Sequence, residues 1–194
     1  MIRFNNKLLR LNGNLAGKVI VTPEPPSPVE PWNPLNLPPY TIRVQLTDTT
    51  YDCSNKGFPG TWTIVDNNGT WDIHYDNTNW RRLMTDSIGF WGNRKVHKLL
   101  GLNSTGVTNI ERFEDCANNY LIGTIPLFDT TALTDVTNAF YETYYVEGGQ
   151  LALYQQMSTQ TNPPTSHSGC FRSCGINSTD ESKAETSQID SGWK

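Results

Sequence analysis

The chain has 194 residues, 36% of them hydrophobic and 18% charged, with a net charge of -4; both fractions are low for a globular protein, and the length allows one domain or one domain with an appendage. The remainder is uncharged polar residue, chiefly Asn, Thr and Ser, which suits turns and β structure better than long helices. With no basic cluster the composition excludes nucleic acid as the principal partner, and no run is long and apolar enough to span a membrane.

Residues 1–21 alternate apolar and polar around Asn12-Gly13, which predicts a small hairpin or an extended arm. Arg3, Lys7, Arg10 and Lys18 are scattered among apolar positions rather than gathered ahead of one apolar block. That is not the pattern of a secretory signal. In residues 22–40 nearly every second or third residue is proline, which fixes φ and removes the backbone donor, so neither a helix nor an interior strand forms there. The expectation is a semi-rigid, extended spacer.

Residues 41–95 contain the clearest hairpin signal, GTWTIVDNNGTWDIHYDN, because Asn68-Gly69 is the pair that a two-residue type I′ turn favours. That turn sets Asp66 opposite Trp71, Ile64 opposite Ile73 and Trp62 opposite Tyr75. One face of the ribbon is then aromatic and aliphatic, so the tryptophans pack into a core rather than form a sugar-stacking platform. The other face carries Asp72, His74 and Asp76 at alternate positions, read here as a solvated strand face rather than a metal or acid–base site. Four cysteines, Cys53, Cys116, Cys170 and Cys174, define no disulfide framework. His167 beside Cys170 and Cys174 is an incomplete zinc ligand set. Neither metal nor cofactor is expected.

Residues 96–194 are dominated by a repeat. LGLNSTGVTNI, Leu100 to Ile110, aligns 26 positions ahead with PLFDTTALTDV, Pro126 to Val136. Leu102 corresponds to Phe128, Asn103 to Asp129, Val107 to Leu133 and Ile110 to Val136, and a one-residue shift then brings Phe113 to Phe140. A short apolar strand, a polar turn and a second apolar cluster at this period suit a leucine-rich-repeat solenoid, whose units bury their apolar edges by stacking. The hairpin module caps one end of such a stack and the segment after Tyr145 the other. From Gly148, GGQLALYQQMSTQ predicts a short helix with Leu151, Tyr154 and Met157 near one side. FRSCG, Phe171 to Gly175, reads as a degenerate last unit. The expected class is therefore α+β and β-rich: an N-terminal arm, a Pro-rich linker, an antiparallel β-hairpin module and a short repeat solenoid.

The phrase IPLFDTTALTDVTNAFYE resembles the BspA-type leucine-rich repeat at Asp129-Thr130, Leu133-Thr134-Asp135-Val136 and Phe140-Tyr141, and again at Val107-Thr108-Asn109-Ile110, Phe113 and Cys116. It departs from that pattern in having Ile110 and Val136 where Met is usual, and Thr143 near the place of the second Cys. Together PYTIRVQL, WDIHYDNTNW, LLGLNSTGVT, LALYQQMSTQTNPPTSHS and the FRSCG-to-GWK ending are similar to a modular protein type encoded by phages and prophages of gut Bacteroidales. Those proteins, too, carry an F-x-N-K-L-L phrase and a proline-rich connector. The resemblance implies display and binding, with no settled biochemical activity, and an enzyme is not expected.

On this basis the expected function is that of a virion structural protein, a head fibre, capsid decoration or tail-associated subunit. Ile2, Phe4, Leu8, Leu9, Leu11, Val19 and Ile20 would anchor the arm to a capsid or tail protein of the same virion. Asp129, Thr131 and Asp135 would face outward for surface binding, to a host-surface glycan or protein. Copies would assemble as a homo-oligomer, a trimer by analogy with phage fibres. The alternatives are a bacterial cell-surface adhesin, which needs an export signal, and a glycan-degrading spike enzyme, which needs a carboxylate pair drawn from Asp72, Asp76, Asp129 and Asp135.

Overall fold

The computed structural model describes residues 32–46, 62–66, 70–84, 96–114 and 120–194, together with the strand pairs at 10–11 and 14–15. It is a mixed α+β fold rich in β structure. Strands β1 (Arg10–Leu11) and β2 (Asn14–Leu15) form a two-stranded sheet of their own, with Arg10 opposite Leu15 and Leu11 opposite Asn14. This pairing brackets Asn12-Gly13, as the expected hairpin requires.

The remaining strands, β3 (Thr41–Leu46), β4 (Trp62–Asp66), β5 (Thr70–Tyr75), β6 (Val96–Asn103), β7 (Tyr120–Thr124) and β8 (Val146–Gly148), form one six-stranded sheet in the order β4-β5-β3-β6-β7-β8. β4 and β5 pair antiparallel, with Trp62 opposite Tyr75, Ile64 opposite Ile73 and Asp66 opposite Trp71. That register is the one the sequence predicts. Ile73 is fully buried and Trp71 packs against the core, which fits the core role expected of that face. β6, β7 and β8 run parallel, so the hairpin strands and the repeat share one sheet.

The described part of the proline-rich segment, residues 32–40, contains a turn. Asn33 makes a turn in which its side chain accepts from Leu37 N and donates to Leu37 O, at 2.9 and 3.0 Å. Asn103 on β6 donates to the same carbonyl at 2.7 Å, and Leu37 is buried. Asparagine supplies the turn that proline cannot close, and it ties residues 33–37 to the repeat.

A second ladder, formed by the turns that follow the strands, stacks four rungs. Trp80 N donates to Asn109 O, Ile110 N to Asp135 O and Val136 N to Ser166 O, at 2.7 to 2.9 Å. Two residues further on, Arg82, Arg112 and Asn138 repeat the bond, and two further still Met84, Glu114 and Phe140 do so again. The 26-residue correspondence therefore runs unbroken through the second and third rungs: Phe113 occupies the place of Ala139, and Glu114 that of Phe140. The one-residue shift inferred from the phenylalanines is a displacement of side-chain bulk, not of the backbone. The rings still form a column, with centroids 6.1 Å apart for Trp80 and Phe113, 6.3 Å for Phe113 and Phe140, and 5.9 Å for Phe140 and Phe171. Of FRSCG, Phe171 joins this column, directly after the ladder contacts at Ser166, Ser168 and Cys170.

Each rung closes through one left-handed residue, Arg82, Arg112, Asn138 and Gly169, with φ between 54 and 69°. Three of the four lack the freedom of glycine, so the turn is held against a local cost of roughly 1 kcal/mol each. Helix α1 (Gln150–Thr159) buries Leu153 and Met157, while Leu151 and Tyr154 pack at the core margin. Its N-terminal residue Gly149, at φ 90°, sits where any Cβ would overlap the Ile125 carbonyl, so its cap comes from elsewhere. Glu185 on helix α2 (Asp180–Gln188) accepts from Gly149 N and Leu151 N, at 2.9 and 3.2 Å, a carboxylate placed at the positive end of α1. Among the described residues no helix is long and apolar enough to cross a membrane.

Within the apolar column Glu114 is fully buried and lies 3.2 Å from Nε2 of the equally buried His97. Replacing Glu114 with Ala strips His97 of this partner, and unfolding in urea should show a loss of about 3 to 5 kcal/mol. The double change His97→Leu with Glu114→Met, matching Met84 of the first rung, should recover most of it. Phe140→Ala, in the middle of the ring column, should cost about 3 to 5 kcal/mol in the same assay.

Candidate binding face

The sequence places two oxygen-bearing side chains in each repeat turn, and the structure shows what most of them do. Asn79, Asn109 and Asp135 each accept from the backbone N–H two residues on, at 2.8 to 2.9 Å. Asn103 and Asp129 do the same for Thr105 and Thr131, at 3.2 and 3.0 Å. These are Asx turns, in which a short side chain replaces a backbone acceptor. Asp129 is only 8% exposed, and its Oδ1 also accepts from the Thr131 hydroxyl at 2.6 Å. Asp135 is half-buried, and Thr131 is exposed. Of the three residues expected to face a partner, the two carboxylates are engaged in forming their own turns and Thr131 is left at the surface.

What the stack presents outward is a file of four exposed threonines, Thr78, Thr108, Thr134 and Thr165. Each of the last three donates its hydroxyl to the backbone carbonyl of the preceding one, at 3.0 to 3.3 Å. The hydroxyl hydrogens of these three are consumed within the file. The file is uncharged and set at the spacing of parallel rungs. One position past the Asx residue plus one, an ion pair spans two rungs, Arg81 Nε to Glu111 Oε2 at 2.8 Å.

A second outward feature was not among the expected site residues. Segments 141–145 and 172–177 run side by side, joined by Glu142 N to Arg172 O, Gly175 N to Thr143 O and Asn177 N to Tyr144 O, each 2.9 Å. They gather Tyr141, Tyr144, Tyr145, Arg172 and Ile176 at one corner of the stack. The Arg172 guanidinium lies over the Tyr141 ring at 5.5 Å, and the rings of Tyr144 and Tyr145 meet edge-on at 6.4 Å. Burial, and then a hydrogen bond to Glu142, raises the Tyr144 phenol above its ordinary value. Tyr145 is 37% and Ile176 46% exposed. Tyrosine and arginine on a rigid backbone are the side chains that dominate protein contact surfaces. The run Tyr-Glu-Thr-Tyr-Tyr at 141–145 carried that signal in the sequence.

The other candidates are placed as follows. Asp72 is held by Arg43 through two contacts of 2.6 and 2.7 Å, and His74 Nδ1 lies 3.2 Å from Thr41 Oγ1. Asp76 is exposed. His167 stacks on Trp193 with ring centroids 4.3 Å apart, its Nδ1 3.2 Å from Gly192 O. Among the described residues no three His, Cys, Asp or Glu side chains are grouped to hold a metal ion. Of the expected anchoring residues, Leu11 lies in β1. Ile2, Phe4, Leu8, Leu9, Val19 and Ile20 lie outside the described residues, as do Cys53 and Cys116. No protein-family model, no curated protein and no solved structure matches the chain.

Cys170 and Cys174 are both fully buried with free thiols. Burial pushes Cys174 from 9.0 up to about 12 although Thr143 donates to its sulfur at 3.0 Å, and burial pushes Cys170 well above its ordinary value. The thiolate is the reactive form. In a Cys53→Ser, Cys116→Ser background the folded protein should therefore show no reaction with a thiol reagent at pH 8, and two equivalents should react once it is unfolded. Because the folded value is raised, the stability from keeping Cys174 protonated is intact below about pH 9 and is lost as pH rises towards 12. Urea midpoints measured across that range should fall, and Cys174→Ser should flatten the fall.

Proposed function

We propose that this chain is a virion structural protein, a head fibre, capsid decoration or tail-associated subunit, that holds a short leucine-rich-repeat solenoid away from the particle. The observation that carries this reading is the separation of parts. The β1–β2 hairpin makes a sheet apart from the six-stranded one, a proline-rich segment follows it, and the stacked rungs lie beyond. An anchor, a spacer and a rigid repeat body in that order suit attachment at one end and presentation at the other. The resemblance to proteins of phages and prophages of gut Bacteroidales points the same way.

The four rungs, 30, 26 and 31 residues apart, each closed by a left-handed residue and packed on one column of side chains, support the solenoid reading. In it the threonine file and the Tyr141–Arg172 corner are the surfaces presented to a host-surface glycan or protein. A short arm buries little area, so attachment gains from several copies held together. A homo-oligomer, with a trimer as the first stoichiometry to test, meets that need.

Deleting residues 1–21 should release the protein from purified particles of the phage that encodes it, while thermal unfolding of the remaining chain stays cooperative. Mass spectrometry of banded particles reads the first outcome and circular dichroism the second. Copurification of the shortened chain at the level of the full chain would remove the arm from its anchoring role.

A further inference from the structure

Each rung of the turn ladder hands its N–H groups to the carbonyls of the next. The donors at one equivalent place are Met84, Glu114 and Phe140, which bond to Phe113 O, Ala139 O and Cys170 O, at 3.1, 2.6 and 2.8 Å. Phe171 N is the fourth member of that series. Its acceptor is not another rung but Trp193 O, at 2.9 Å. The segment Ile189–Lys194 thus sits where a fifth rung would begin.

Its contacts show that it is built for that place. Asp190 Oδ1 accepts from Gly192 N at 2.7 Å and closes the short 3-10 turn Ser191–Trp193. Trp193 is 6% exposed, wedged between the stacked His167 ring and the edge of Tyr154, whose centroid is 5.5 Å away. Ile189 is buried, and the Lys194 ammonium donates to Thr186 O and Ser187 O at the end of α2. A turn rather than a strand satisfies the edge, so it offers no extended backbone to a further neighbour.

We propose that Ile189–Lys194 is an assembly stop: it masks the outer edge of the fourth rung, and a second copy of this chain takes that edge when the segment is withdrawn. The occupant follows from the continuity of the ladder. The same bond joins three successive pairs of rungs in this chain, so the fourth rung, whose Phe171 N is the next donor in the series, is matched in hydrogen-bond spacing and in apolar column to a rung of another copy, and exposed edges of this kind pair with like edges. The stop works independently of whether the protein belongs to a virion.

Two full-length chains test it by light scattering against the mass of the unaltered protein. In one, a protease site between Gln188 and Ile189 lets the segment be cut off after folding; in the other, Trp193→Ala loosens it in place. The expected result is a concentration-dependent rise in mass, roughly a doubling for one edge-to-edge pairing, which an excess of the free hexapeptide Ile-Asp-Ser-Gly-Trp-Lys reverses. Mass unchanged in both chains overturns the proposal, and so does a rise that the hexapeptide leaves in place. If cutting abolishes the far-UV signal of the fold, the Trp193→Ala chain, shown folded by that signal, decides by the same two readouts.

Discussion

Backbone pairing between equivalent turns is the constraint on which the rest of this structure depends. A parallel rung repeats its donors and acceptors at fixed spacing, so once Trp80, Ile110 and Val136 are in register every residue up to Phe140 has its place dictated. Side chains then adapt to the backbone rather than the reverse. Phe113 fills the space that Ala139 leaves small in the next rung, and Phe140 fills the space beside Glu114. Close packing tolerates this exchange because volume is conserved between neighbouring rungs although it is not conserved at each position.

The same constraint explains where polar groups are buried. Glu114 occupies a column position that is Met or Phe in the other three rungs, and the column accepts it because His97 on β6 faces it from the adjoining sheet. Gln150 ties α1 to α2 in a comparable way, donating to Ser182 O, Ser182 Oγ and Thr186 Oγ1 at 2.8 to 3.2 Å. α2 reaches back further, with Ser182 Oγ donating to Val146 O on β8 at 2.7 Å and Glu185 capping α1. An edge strand that ended at β8 would expose pairing groups. These contacts close that side of the sheet with side chains of one polar helix.

The parts legible in the sequence are those governed by local rules. The register of Trp62 with Tyr75 is the one that the Asn68-Gly69 pair predicts, and the 26-residue spacing found the buried Leu102, Val107, Ile110, Phe128, Leu133 and Val136. The parts missed are those decided by contacts far along the chain. α2 reads DESKAETSQ, polar on nearly every side, so no periodicity announces it; its capping Thr179 and its grip on β8 and α1 hold it in place. Residues 33–37 fold back because Asn103, 66 positions on, donates to Leu37 O. For the candidate site, Asp129 and Asp135 looked outward because carboxylates usually do, yet an aspartate two residues before a free turn N–H is more useful as its acceptor.

That substitution of roles bears on how such a surface changes over time. In the first three turns the Asx oxygen, and in all four the left-handed residue and the apolar column, are fixed by the ladder, so replacing any of them disturbs the register of neighbouring rungs as well. Thr108, Thr134 and Thr165 are different, because each hydroxyl adds one bond to a carbonyl that already accepts from the backbone. Tyr145 and Ile176 are exposed, on segments joined by main-chain bonds and by the buried contact of Thr143 with Cys174. Recognition can therefore be rewritten at the corner, and to a lesser degree along the threonine file, without cost to the scaffold. A body whose stability and whose contact surface draw on different residues is suited to presenting a variable surface on a constant support.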